Sequence, residues 1–174
     1  MKNNNSFLKL LKQDTKRKYT LFNLLFLFTF LILNLLIPYN AKKCEIFPDC
    51  YDYLEQSKIN FFSFDFFFPA KELVAFPRAF SIPLIYKLAG SDPQTIVLLQ
   101  KIIYSLSVAF FAFSSSFIFK KERIKYIWIV CCFLIFASWE NLGWSQTLLS
   151  ESLGLSFFLL WLGSFFLYEN RRST

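Results

Sequence analysis

TLFNLLFLFTFLILNLLIPY, residues 20–39, runs for twenty positions without one charged side chain. A helix needs about 20 mostly apolar residues to cross the ~30 Å hydrocarbon core of a bilayer, and this stretch meets that length. Working outward, residues 96–119 meet it with only Lys101 charged near one end. Residues 126–139 are shorter but uniformly apolar, and residues 147–168 are long enough with a single acid, Glu151, near their start. Four such runs within 174 residues, with 55% of the chain hydrophobic and 25 phenylalanines, are too many for the core helices of an ordinary soluble domain. The expected fold class is therefore all-α and integral to the membrane, with about four transmembrane helices.

The net charge of +7 follows from topology and is no sign of nucleic acid as a partner. Lys2, Lys9, Lys12, Lys16, Arg17 and Lys18 precede the first run. Lys120, Lys121, Arg123 and Lys125 lie between the second and third, and Arg171 and Arg172 follow the fourth. With four crossings all three clusters fall on one side, which the excess of lysine and arginine in cytoplasmic loops makes the cytoplasm. The expected organisation is a basic cytoplasmic N-terminus over 1–19, a membrane module over 20–168 with an external loop over 40–95, and a cytoplasmic tail over 169–174. The short turn 140–146 then also lies outside. A secretory signal peptide competes for the N-terminus. The apolar run exceeds the usual length of such a peptide, and Tyr39-Asn40-Ala41 is a poor cleavage site, which favours an uncleaved signal-anchor. Residues 6–12 (SFLKLLK) are weakly amphipathic, so they either rest on the inner leaflet as a basic helix or form a solvated tail.

The loop over 40–95 is too long for a simple connection, and loops of that length are usually functional or separately folded. It opens with Pro48-Asp49-Cys50-Tyr51-Asp52-Tyr53, a cluster of acids and tyrosines. Residues 50–60 carry good helix formers behind the start signal Pro48-Asp49, and three- and four-residue spacing puts Asp49, Asp52, Tyr53 and Gln56 on one face. Residues 61–68 (FFSFDFFF) are nearly all aromatic yet too short to span, as befits an interfacial segment ended by Pro69. A second short helix over 80–88 is bounded by Pro77 and Gly90. Ser91 or Asp92 can cap the next span, with Pro93 at its first turn and Gln94 placed to complete a capping box. The last span begins with Ser150, Ser152, Gly154 and Ser156, a face that lets another helix approach closely.

Chemistry has few carriers, since the chain holds no histidine. An ionisable side chain at a membrane boundary is a functional candidate by default, which singles out Glu151. Its bland counterpart is a glutamate at the interface, as Asp49 could simply cap a helix and Arg78 anchor among head groups. Cys44 and Cys50 fall outside, where a bridge could persist, and are equally well two free cysteines; Cys131 and Cys132 lie in the third run. No Cys-x-x-Cys pair is present, so no metal site is expected. An acidic pair at a membrane surface could still hold a divalent cation or none, and the cofactor stays open.

The order of these features resembles the N-terminal part of the GT-C superfamily of membrane glycosyltransferases, of the type related to protein mannosyltransferases and glycosyltransferase family 39. One span leads into a long external loop with an Asp-x-x-x-Tyr motif, here Asp49-Cys50-Tyr51-Asp52-Tyr53. An Arg- and Pro-containing stretch then ends in a short apolar helix and glycine, here residues 78–90 (RAFSIPLIYKLAG). Gln100 early in the second span and Ser150-Glu151 at the outer start of a later one also fit, so the resemblance covers roughly 20–168. It implies transfer of a sugar from a polyprenyl-phosphate carrier at the external face of a membrane, here taken as the bacterial inner (plasma) membrane. Asp49 would be the base for the acceptor hydroxyl, with Asp52 as the alternative; Arg78 would bind the carrier phosphate, with Tyr53 and Glu151 as further substrate-binding residues. The chain departs from the family in having Cys50 after the motif aspartate, where an acid or serine is common. Relatives also have many more spans, which implies a partial enzyme, or a second polypeptide supplying the rest. The competing class is a non-catalytic four-span membrane subunit or interaction protein.

Overall fold

The computed structural model describes residues 3–37, 49–69, 81–138, 142 and 150–172. Among them every regular element is an α-helix: α1 (Asn3–Leu36), α2 (Asp49–Lys58), α3 (Phe64–Phe67), α4 (Ser81–Leu88), α5 (Pro93–Ser116), α6 (Glu122–Phe136) and α7 (Ser150–Arg172). Among the described residues three stretches are long and apolar enough to cross a membrane: Lys18–Leu36, Pro93–Ser116 and Glu151–Arg172. The third expected span, residues 126–139, is not among them. Helix α6 has 15 residues, about 22 Å at 1.5 Å per residue, against a hydrocarbon core of ~30 Å. Its apolar run is hemmed in by Glu122, Arg123 and Lys125 before it, and the helix ends where the Ala137 amide bonds back to the Phe133 carbonyl at 2.8 Å.

Outward faces are as apolar as inward ones. Leu21, Leu25, Phe28, Ile32 and Leu36 form an exposed stripe along α1, with Leu36 73% exposed, and Phe157, Phe158, Trp161 and Phe165 do so on α7. In water such contiguous apolar surface would drive aggregation, whereas in lipid it needs no cover. These helices make the chain a membrane protein.

No glycine or proline interrupts residues 3–36, so α1 continues as one helix of 34 residues, about 51 Å long, rather than as a separate segment before the span. Side-chain contacts fix the direction of every long helix. Helix α1 runs antiparallel to α5: Tyr19 shares a hydrogen bond with Ser116 at one end, and Asn34 Nδ2 donates to the Lys101 carbonyl and Ser105 Oγ, both at 3.2 Å, near the other. Helix α6 also opposes α5, with Trp128 Nε1 donating to Ser115 Oγ at 2.8 Å and Tyr104 donating to the Phe136 carbonyl at 3.0 Å. Helix α7 runs parallel to α5, since Leu153 packs with Ile96 and Val97 while Phe166 meets Phe111. Chain direction therefore reverses twice between α5 and α7, once on either side of α6. Lys18, where the apolar stretch of α1 begins, and the helix ends and turns bearing Lys120, Lys121, Arg123, Lys125, Arg171 and Arg172 all gather at one end of the bundle.

Close packing of α5 on α7 rests on Gly163. A Cβ there would lie 2.7 Å from the Phe110 ring and 3.4 Å from the Phe111 Cα. Ser152 and Ser156 are buried on α7, but Gly154 is open to its surroundings, so the small-residue face includes Gly163 and not Gly154. Backbones approach where the side chain is absent.

Candidate functional site

The end opposite the basic residues carries a layer of short helices. Helix α4 closes on Gly90 (φ 77°) and Ser91 (φ 56°), where the Ser91 amide bonds to the Tyr86 carbonyl and the Gly90 amide to that of Lys87, both at 2.9 Å. This is the Schellman arrangement, which wants a left-handed residue after the helix and finds glycine there. Helix α5 starts immediately. Asp92 caps it by accepting from the Thr95 amide at 2.8 Å and the Thr95 hydroxyl at 2.7 Å, with Pro93 in the first turn. Thr95, not Gln94, occupies the third helical position and completes the cap. The Thr95 hydroxyl, then its amide, hold the Asp92 carboxyl below the usual carboxylate range.

Helix α2 turns Asp52, Tyr53 and Gln56 inward, while Tyr51 and Glu55 face out, as three- and four-residue spacing dictates. Gln56 Nε2 donates to the Phe66 carbonyl at 3.0 Å, fastening the aromatic run beneath α2. Within that run Phe66 is buried, whereas Phe62, Phe64 and Phe68 project outward. Lys87 on α4 donates to the carbonyls of Ser57 at 3.0 Å and Ile59 at 2.6 Å, supplying donors at the C-terminal end of α2. Ser57 Oγ bonds Ser91 Oγ at 2.9 Å, which ties α2 to the α4–α5 turn.

A second apolar cluster joins this layer to the bundle. Tyr53, Tyr86, Ile96, Val97 and Leu153 are buried together, drawing on α2, α4 and the starts of α5 and α7. The Tyr53 and Tyr86 rings meet edge to face with centroids 6.0 Å apart, and Gln100 Nε2 donates to the Tyr86 hydroxyl at 3.3 Å. Asp52 adjoins Tyr53 in sequence, and Glu151 lies two residues before Leu153, so both acids belong to this end. They differ in setting: Asp52 is buried at 7% exposure and Glu151 is exposed in the first turn of α7.

Of the sequence-derived residues, Asp49 opens α2. Its side chain and that of Cys50 lie outside the described residues, as do Arg78, Cys44, Pro77 and all of the turn 140–146 but Leu142. Tyr86 and Lys87 were missed as organisers of the layer; an isolated tyrosine and lysine in a short apolar helix were the only signal. Another missed group is Lys101, which is buried and donates to the Ile37 carbonyl beyond the last turn of α1. Among the described residues no three histidine, cysteine, aspartate or glutamate side chains lie close enough to hold a metal ion. Neither a family model, nor a curated protein, nor a solved structure matches this chain.

Proposed function

We propose that the chain is the N-terminal module of a membrane glycosyltransferase that takes a sugar from a polyprenyl-phosphate carrier at the external face of a bacterial inner membrane. The observation that carries this reading is the joining of the Asp49 helix, α4, Gln100 and the Glu151 helix start through Tyr53, Tyr86 and Leu153, at the end opposite the basic residues. Residues scattered over a hundred positions in sequence thereby share one face of the bundle. The fold reading that accompanies it has four crossings and a cytoplasmic N-terminus. Its support is the parallel course of α5 and α7, which requires the chain between them to return across the bundle although α6 alone covers about 22 Å. Further spans come from the rest of the enzyme or from a second polypeptide.

In this proposal Asp49 takes the proton from the acceptor hydroxyl as its oxygen attacks the anomeric carbon. The carbon–oxygen bond to the carrier phosphate breaks, and the phosphate leaves with the electron pair. Arg78 pairs with that phosphate through its parallel N–H donors. Asp52 is the alternative base, and Tyr53 and Glu151 border the substrate. The exposed phenylalanines of the 61–68 run seat the layer at the lipid interface. A second reading, a non-catalytic four-span subunit, is favoured by the burial of Asp52 and Tyr53 inside the packed layer.

Asp49→Asn in the full protein, in native membranes supplied with polyprenyl-phosphate-linked sugar, separates the two. The glycosyltransferase reading expects sugar transfer to fall by at least about 100-fold, the scale of lost acid–base catalysis, with membrane insertion unchanged. Undiminished transfer would refute the role of Asp49, and wild-type membranes showing no transfer with any lipid-linked hexose would leave the subunit reading in its place.

A further inference from the structure

At the basic end of the bundle, far from the layer just described, α1 and α6 run side by side in the same direction. Phe22 meets Tyr126 with ring centroids 4.9 Å apart, and Phe26 meets Phe133 at 5.7 Å. Between the two helices lies a groove of about 210 Å³ lined by Phe22, Leu25, Phe26, Thr29, Val130 and Phe133. Only Thr29 among them is polar. The volume is far too small for another helix, whose diameter with side chains is about 10 Å. A flexible hydrocarbon chain fits it.

The charges at the head of this groove follow from helix register. Lys18 stands four and seven positions before Phe22 and Leu25, on the same stripe of α1. Arg123 stands seven positions before Val130, two turns up the same stripe of α6. Both are exposed, and the contact of Tyr126 with Tyr19 and Phe22 puts Lys18 and the start of α6 at one level. Lys125, between them, is engaged by Glu122 at 2.9 Å and lies 5.6 Å from the Tyr19 ring centroid, so its role there is to hold α6 against α1.

We propose that this groove binds one anionic phospholipid from the leaflet at the basic end, its acyl chain between α1 and α6 and its head-group phosphate at Lys18 and Arg123. Two cations at the mouth of an apolar slot match the two ends of such a molecule, and basic side chains near a bilayer surface favour anionic lipid. The site lies at the opposite end from the proposed sugar chemistry and stands or falls independently of it.

The test uses the full protein in phosphatidylcholine nanodiscs doped with a lipid probe that carries a photoreactive acyl chain and either a phosphatidylglycerol or a phosphatidylcholine head group. Cross-links should map to α1 and α6 around Leu25 and Val130, with the phosphatidylglycerol probe favoured about fivefold for each basic residue engaged. Lys18→Gln with Arg123→Gln, both on the surface, should bring its yield down to that of phosphatidylcholine. Thr29→Trp, which fills the groove from its lipid-facing side, should abolish labelling there by both probes. Equal yields from the two probes on the wild-type protein, a preference that survives the double substitution, or groove labelling that survives Thr29→Trp would each overturn the proposal.

Discussion

Asp92 shows at the residue scale how one carboxylate sets the start of a span. Its two bonds from Thr95 are strongest while it is ionised, and they hold its pKa down in the folded protein. A depressed folded pKa contributes stability above the unfolded value of about 3.9, and that contribution is lost as pH falls through the folded value. Thermal unfolding in detergent micelles should therefore show the wild type more stable than Asp92→Asn above about pH 4, the gap closing at lower pH. A gap that persists in acid would mean that the charge is not what matters. Asn34 is a second such case. It stands in a run that is otherwise mostly apolar and is fully buried, its Nδ2 donating to Lys101 and Ser105 on α5. Asn34→Leu should cost about 1 kcal/mol of stability, the scale measured for interhelical polar contacts in membranes, read from unfolding in micelles. The run 20–39 announced a span and said nothing of this contact, because hydropathy averages over the one residue that picks the partner helix.

Helix against helix, the α5–α7 contact depends on what Gly163 lacks. Gly163→Leu should force Phe110 aside and cost about 1–3 kcal/mol, the range for an overfilled interface. Pairing it with Phe110→Ala should recover part of that loss in a double-mutant cycle; additive losses would place the strain elsewhere. The small residues at the start of α7 were legible as a packing face, and Ser152 and Ser156 do lie in it. Gly163 was not, since a glycine deep in an apolar run looks the same from either side until the partner helix is in place. Boundaries followed the same logic. Local chemistry left Ser91 or Asp92 as the cap of α5; the cap is Asp92, and Thr95 does the work expected of Gln94, because capping geometry selects the third helical position. The short α6 was visible as a short apolar run, whereas its pairing with Tyr104 and Trp128 was not.

Taken whole, the molecule sorts its charges by helix direction. Single cysteines placed by Gln94→Cys, Lys121→Cys and Arg172→Cys, in a chain whose four native cysteines are replaced by serine, test the proposed topology. On intact cells a membrane-impermeant thiol reagent should label the first from outside, and the other two only after permeabilisation. Lys121→Cys and Arg172→Cys on opposite sides would exclude the four-crossing arrangement. Periodicity and charge made the helical class and the basic clusters legible, because both are local counts. Assembly of the candidate site was less so: spacing placed Asp52, Tyr53 and Gln56 on one face, but only tertiary contact reveals that Tyr86 and Gln100 stand behind them. The turn at Gly90–Ser91 carries a last consequence. With only four residues between the end of α4 and the start of α5, little slack separates the layer from the span. One residue inserted there would rotate the following helix by about 100° and swing Gln100 away from Tyr86. The layer and the span are thus locked in one rotational register.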